Sequence, residues 1–232
     1  MLAYNQQLGH DRTVTSLKMG IDKQSYYSAS SDGSVLKWNL KNPRALPEVV
    51  FDSDEIVRSI DISPDGKWMM LVFYQTGLQL ISLDPNTVED VVAVRDPEPV
   101  QMAVFMPEEQ QYLSVTKNQQ LIIKGFKEEP REIGQTRSQV FALEVATKDG
   151  TIYAGTLDGV IESWENQEYF GYDLGRPAIT CMDISPDGQL LAIGRDKGDV
   201  VLWNILEREL ERMILGHSST VTDIQFSPDG NL

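Results

Sequence analysis

The sequence predicts an all-β protein, a β-propeller of four-stranded antiparallel blades with five complete blades and an incomplete sixth. Three observations carry that expectation: a repeat near forty residues, turn signals at fixed places inside each repeat, and short β-rich runs between the turns. The repeat shows when the segments opening on Thr13, Ile56, Pro99, Gln139, Ala178 and Thr220 are laid over one another. Their second residues, Val14, Val57, Val100, Val140, Ile179 and Val221, follow at steps of 43, 43, 40, 39 and 42. Arrays of this period expose loops around a rigid body, and their function sits in the loops.

Each unit opens with a strand whose apolar residues keep a fixed stagger: Val14, Leu17 and Met19, then Val57, Ile60 and Ile62, then Ile179, Met182 and Ile184. A turn follows, spelled Ser-Pro-Asp-Gly at 63–66, 185–188 and 227–230, where proline presets φ and glycine accepts a positive φ. Second strands are expected at 26–30, 68–73, 112–116, 152–156 and 190–194, and third strands at 35–40, 78–83, 121–126, 160–164 and 200–205. From the first-strand anchor to the second turn the spacing is 18 or 19 residues, as from Val14 to Asp32 or from Val57 to Thr76. Insertions gather after the third strand, which puts a more variable fourth strand at 48–51, 91–94, 131–133, 169–173 and 211–215. Residues 206–215 also fit an amphipathic helix, but their place between third and fourth strands favours a turn and a strand. Runs that are apolar on both sides describe sheets covered on both faces. A single domain over 1–232 is expected, with repeats at about 9–52, 53–95, 96–135, 136–174 and 175–215 and a partial one at 216–232. Because that last repeat stops after its first turn, the sequence reads as a fragment, with 2–8 placed as an outer strand for the closing blade.

Charge narrows the partners. Twenty basic residues against thirty-five acidic ones leave a net charge of −15, which opposes nucleic acid and anionic membrane and fits a cationic protein or peptide. Cys181 is the only cysteine, so no disulfide forms within the chain, and its apolar strand makes it a buried thiol. The start carries no basic-plus-apolar signal pattern, and the longest apolar run, 68–73, is too short to span a bilayer. A cytoplasmic location is expected.

No catalytic constellation stands out. Asp61-x-Ser63-x-Asp65-Gly66 and Asp183-x-Ser185-x-Asp187-Gly188 resemble the opening of a calcium loop, but its twelfth position holds Val72 or Gly194 instead of a carboxylate. His10 and His217 recur at equivalent repeat positions without the further ligands zinc requires. Neither metal nor cofactor is expected. The alternative to a binding protein is a propeller enzyme with a central-channel site built from first-strand carboxylates, of which Asp61, Glu144, Asp183 and Asp223 are the candidates. Asp61 and Asp183 share one repeat position, which favours an architectural role.

Gly9-His10 precedes the first strand, Ser28-Ala29-Ser30-Ser31-Asp32-Gly33 closes the second, and Trp38-Asn39 ends the third. Gly216-His217 opens the last repeat in the same way, and Trp164 and Trp203 each stand six residues after the turn positions of Asp158 and Lys197, as Trp38 does after Asp32. In these features residues 9–232 resemble the WD-repeat family of β-propellers. The resemblance implies a structural hydrogen-bond network of His10, Asp32, Trp38 and a second-strand serine, Ser28 or Ser30, with Asp158, Trp164, Trp203 and His217 at corresponding positions. Elsewhere the pattern erodes, with Thr76 and Ser82, Asn118 and Lys124, and Lys197 in the expected Asp and Trp places, so only the first repeat can hold the whole network. The family likeness further implies a non-catalytic interaction scaffold or sensor, often one module among several, with domains upstream or downstream. Its partner would bind the loops after the second and fourth strands, where strand parity places Arg12, Gln75, Lys117, Arg137, Leu157, Arg176 and Asp196.

Overall fold

The computed structural model describes residues 9–84, 99–108, 110–126, 128–227 and 230, and every regular element among them is a β-strand. The chain forms two compact units, Met1–Phe105 and Met106–Leu232. In the first, β1 (Val14–Met19), β2 (Ser25–Ser30), β3 (Val35–Asn39) and β4 (Glu48–Phe51) form one sheet in sequence order, and β5 (Val57–Ile62), β6 (Trp68–Phe73) and β7 (Leu78–Ser82) form the next. The fourth strand expected at 91–94 and the outer strand expected at 2–8 lie outside the described residues. Strand β8 (Val100–Phe105) opens the third repeat, whose sheet order is β11-β10-β9-β8, with β9 (Gln111–Thr116), β10 (Gln120–Gly125) and β11 (Arg131–Gln135). The second unit then holds β12 (Val140–Val145), β13 (Ile152–Thr156), β14 (Val160–Glu165) and β15 (Glu168–Asp173), followed by β16 (Ile179–Ile184), β17 (Leu190–Arg195), β18 (Asp199–Asn204) and β19 (Glu209–Leu215). Residues 206–215 are thus a turn and a strand, not a helix.

A bulge explains the first-strand stagger. Strict alternation would put apolar residues at every second position, yet Val57, Ile60 and Ile62 are three and then two apart. In the ladder they lie opposite Phe73, Leu71 and Met69, which are two apart throughout, because the register slips between Val57 and Ser59. The same slip occurs between Val14 and Ser16, Val140 and Ala142, and Ile179 and Cys181. One extra residue on the first strand changes its parity once and returns all three apolar side chains to one face.

That face is where sheets meet. Tyr27, Ala29 and Val35 of the first sheet pack against Val57, Ile60, Met69, Leu71 and Phe73 of the second. In the second unit Ala142, Tyr153 and Ile161 pack likewise against Ile179, Met182, Leu191 and Ile193. Val57 and Ile179 are fully buried, whereas Val14, Leu17 and Met19, at the same positions of the first repeat, are about half exposed because no preceding sheet of that unit covers them. Cys181 is buried as expected, and burial pushes its thiol up.

Polar latches accompany the apolar contact. The extra residue of the bulge is Thr15 in β1 and Thr180 in β16, and each hydroxyl donates to a backbone carbonyl one repeat ahead, at Val57 and Val221, at 2.6 Å in both cases. Later in the first strand a carboxylate takes over. Asp61 accepts the Phe105 N–H at 2.8 Å and Asp183 accepts the Phe226 N–H at 2.5 Å. Asp61 also faces the Lys18 ammonium at 3.3 Å. Replacing Asp61 with alanine is expected to cost about 1 kcal/mol in urea unfolding, the worth of one partly exposed hydrogen bond to a charged acceptor.

The sixth-repeat strand expected at 220–226 is a correction, since residues 216–227 hold no strand. The segment still follows β16, fixed by Val221 N–H to the Arg195 carbonyl at 3.1 Å and by the Thr180 and Asp183 latches. Three isolated bonds do not make a ladder, and strand structure needs a continuous one. Among the described residues no helix is long and apolar enough to cross a membrane.

Candidate functional site

In the first, fourth and fifth repeats the loops that follow second and fourth strands are fastened together by one glycine, and in the third by Gln119 at the same place. In the turn between β13 and β14, Gly159 N–H donates to the Thr156 carbonyl at 3.1 Å, and the Gly159 carbonyl accepts the Leu174 N–H at 3.1 Å. Its φ is +81°, and a Cβ there would sit 2.3 Å from the Gly175 carbonyl oxygen. Gly33 and Gly198 repeat both bonds and the same close approach, against the Ser53 and His217 carbonyls. At these three places the following loop lies too close for a Cβ, and the positive φ favours glycine.

This clip draws three of the sequence-predicted residues together in the second unit. Leu157, Arg176 and Asp196 line a cleft of ≈ 390 Å³ with Asp158, Pro177 and Lys197. Leu157 is 47 % exposed, an apolar side chain offered to solvent between charges of both signs. Arg137 lines a neighbouring, smaller cavity, while Lys117 is exposed in the β9–β10 turn outside both. Arg12 and Gln75 are exposed in the corresponding loops of the first unit. A roomier cleft of the second unit, ≈ 680 Å³, lies instead among the first-to-second and third-to-fourth strand connections, with Trp164, Ile123, Arg131 and Lys148 in its wall. Sequence reading did not nominate it, since its lining is drawn from two sheets.

The first repeat assembles a closed polar chain. Trp38 Nε1–H donates to Ser28 Oγ at 2.7 Å, Ser28 Oγ meets His10 Nε2 at 2.7 Å, and His10 Nδ1 faces Asp32 Oδ2 at 3.2 Å. With the imidazole proton on Nδ1, Ser28 donates to Nε2 and every group in the chain is satisfied. Asp32 also accepts the Asp11 N–H and both the N–H and hydroxyl of Ser34. Burial works to raise this carboxyl, but the Ser34 and Asp11 bonds and His10 outweigh it and hold it well below the usual range. Ser30 has a different task, accepting the Asp32 N–H at 3.1 Å within the turn. Ser34 is the member that sequence reading missed. Tyr26 stacks on Trp38 with ring centroids 5.7 Å apart.

Other repeats solve the same place differently. Asp158 is exposed and Trp164 packs edge-on to Tyr169 at 5.5 Å; no hydrogen bond joins the two among the described residues. Trp203 packs on Tyr172 at 5.1 Å, and the exposed His217 lines a shallow cleft beside Arg195. In the fifth sheet Arg195 and Asp199, both buried, stand where the first has Ser30 and Ser34, and form an ion pair. Arg195 Nε–H donates to Asp199 Oδ2 at 2.6 Å. In the fourth, Glu162 is 1 % exposed and both its oxygens take the Arg137 N–H, at 3.1 and 3.3 Å. Burial pushes the Glu162 carboxyl up, against the pull of the Arg137 N–H and charge and of Tyr169.

Three of the first-strand carboxylates, Asp61, Asp183 and Asp223, hold backbone N–H groups. For Asp61 and Asp183 these belong to the next repeat, and Asp223 caps the Ile224 N–H at 2.9 Å. In the turn that resembled a calcium loop, Asp65 accepts the Ser63 hydroxyl at 2.6 Å and the Lys67 N–H at 3.0 Å.

The WD domain, G-beta repeat model matches residues 4–39, 169–204 and 208–232. The chain is 26% identical over 234 residues to the 66 kDa stress protein of Physarum polycephalum, covering 96% of this chain and 37% of that protein. It is 25% identical over 232 residues to eukaryotic translation initiation factor 3 subunit I of Lodderomyces elongisporus, covering 96% of this chain and 59% of that protein. The chain therefore spans only part of the length of these relatives. Among solved structures, the β-propeller domain of Myceliophteria thermophila Cps50 (Swd1) superposes with a TM-score of 0.76 at 14% identity, over 90% of this chain and 73% of that one. That likeness is one of fold alone. Repeats, turns, sheet order and these likenesses agree: the chain carries WD repeats on a β-propeller fold.

Proposed function

We propose that this chain is a non-catalytic interaction module, a scaffold or sensor, that binds a protein or peptide through the loops after second and fourth strands. One observation carries the reading: Leu157, Arg176 and Asp196, from three separate loops, converge on one cleft of ≈ 390 Å³. An exposed apolar anchor inside a charged rim is the usual anatomy of a protein-binding hot spot. Arg12, Gln75, Lys117 and Arg137 are further candidate contacts, and the net charge of −15 favours a cationic segment as ligand. A cytoplasmic setting suits a family whose members include a translation initiation factor subunit. Against the enzyme alternative stand Asp61 and Asp183, whose carboxylates are committed to the backbone of the next repeat.

The test selects a peptide from a random display library on the immobilised chain and measures its affinity for variants. Leu157→Asp and Arg176→Glu are each expected to weaken binding at least ten-fold, about 1.4 kcal/mol. Leu206→Asp, in the exposed turn before β19, should leave it unchanged. Equal affinity for all the variants would move the interface elsewhere.

A further inference from the structure

One third-strand position breaks a rule that the other repeats keep. Four residues after the second-turn position stand Leu36, Leu80, Ile122 and Val201, all apolar, but in the fourth repeat the residue is Glu162. Its neighbour across the ladder is Gly171, where the first and fifth sheets have Val49 and Met213. A carboxylate has replaced a hydrocarbon, and the missing side chain opposite leaves its place to the Tyr169 hydroxyl. Beside the carboxylate lies a cavity of ≈ 180 Å³ lined by Glu162, Gly171, Arg137, Ser138, Asp158 and Asp173, with Thr156 and Val160.

The carboxylate at this cavity has acceptor capacity to spare. Glu162 shares a single backbone N–H between its two oxygens, although a carboxylate has about four acceptor sites. The buried Tyr169 hydroxyl also acts on this carboxylate, and lies 2.9 Å from where a Cβ on Gly171 would be. Arg137 does not fill the need. Its guanidinium lies over the Tyr169 ring, 4.9 Å from the centroid, and no ion pair joins it to Glu162 among the described residues. Asp158 and Asp173 add two carboxylates at the rim, so the charges lining the cavity sum to negative. A carboxylate in that setting is stabilised by a proton or by a cation from outside.

We propose that the cavity seats a cationic side chain, lysine or arginine, of the bound polypeptide, with the Glu162 carboxylate as its counter-ion. The assignment rests on the protein-binding reading above and adds the chemistry of one contact. The cavity supplies the room, Arg137 N–H fixes the carboxylate, and Asp158 and Asp173 draw the cation in from the loop end of the sheet.

The probes are N-acetyl-arginine amide and N-acetyl-lysine amide, with the neutral N-acetyl-citrulline amide as control, titrated into the full ¹⁵N-labelled chain. Saturable shifts at the Ser138 and Gly171 amides are expected for the two cations and not for citrulline. Glu162→Gln, which keeps the acceptor for Arg137 N–H, should weaken cation binding at least ten-fold. Gly171→Ala should weaken it too, because the new Cβ displaces the Tyr169 hydroxyl beside the carboxylate while leaving the carboxylate itself. Glu162→Leu restores the residue type of the other repeats and should abolish binding without lowering Tm, which separates loss of the site from loss of the fold. Equal response to citrulline, unchanged affinity in Glu162→Gln, or no saturable shift in the wild type would overturn the assignment. If the Leu157 and Arg176 variants still lose the selected peptide in that event, only this contact falls and the wider reading stands.

Discussion

Alanine at Gly159 is expected to lower the unfolding free energy by about 3 kcal/mol, the largest effect foreseen for a change of one methyl group here. Two costs add. A φ of +81° is unfavourable for any L-residue with a side chain, and the new Cβ would sit 2.3 Å from the Gly175 carbonyl and 2.7 Å from that of Pro177. Backbone cannot move aside as the end of a long side chain does, so the loop has to lift. Gly175→Ala provides the control, for it has a similar φ of +69° with nothing within 4 Å of the added carbon. It should cost about 1 kcal/mol, the conformational share alone. Urea unfolding of the two variants checks the pair. Because the Gly159 clip positions Leu157 against Arg176, the first variant should also weaken the selected peptide and the second should not.

Loss of the Asp32 carboxylate ranks next. Asp32→Ala leaves His10 Nδ1, the Ser34 hydroxyl and N–H and the Asp11 N–H without their acceptor, and about 2 kcal/mol of stability is expected to go with it. The side chain is 15% exposed, so water recovers part of the loss. The pH dependence gives the prediction its sign. In the folded chain this carboxyl titrates below its unfolded value, so its stabilisation is complete above the ordinary carboxylate range and disappears as pH falls through the lowered value. Wild type and Asp32→Ala should therefore differ most near neutrality and converge in acid. A constant difference from pH 7 down to pH 2 would place the stabilisation in packing instead.

Strand existence was legible in the sequence because turns punctuate it: Ser-Pro-Asp-Gly and the Asp-Gly pairs set the ends of β2, β6, β13 and β17 to within a residue or so. The stagger of Val57, Ile60 and Ile62 was visible too, yet its cause was not, since a bulge is a relation between two strands. The same limit hid the cavity at Glu162. Its identity could be read, but the glycine that faces it stands nine residues on and is brought opposite only by the β14–β15 register. Arg195 and Asp199 were likewise in plain view as residues and invisible as a pair, because their meeting depends on the turn between them. At 220–226 the repeat pattern predicted a strand, and the segment instead takes the strand's place without its ladder.

The Thr15, Thr180, Asp61 and Asp183 latches have one property in common: each reaches a peptide group, never a side chain, of the repeat ahead. Such a grip is indifferent to what that neighbour is made of. Substitutions can accumulate along a receiving strand without loosening it, provided the backbone keeps its path. Repeats joined in this way are free to diverge one at a time. That freedom suits a chain in which His10, Glu162 and Arg195 give the first, fourth and fifth repeats three different polar interiors.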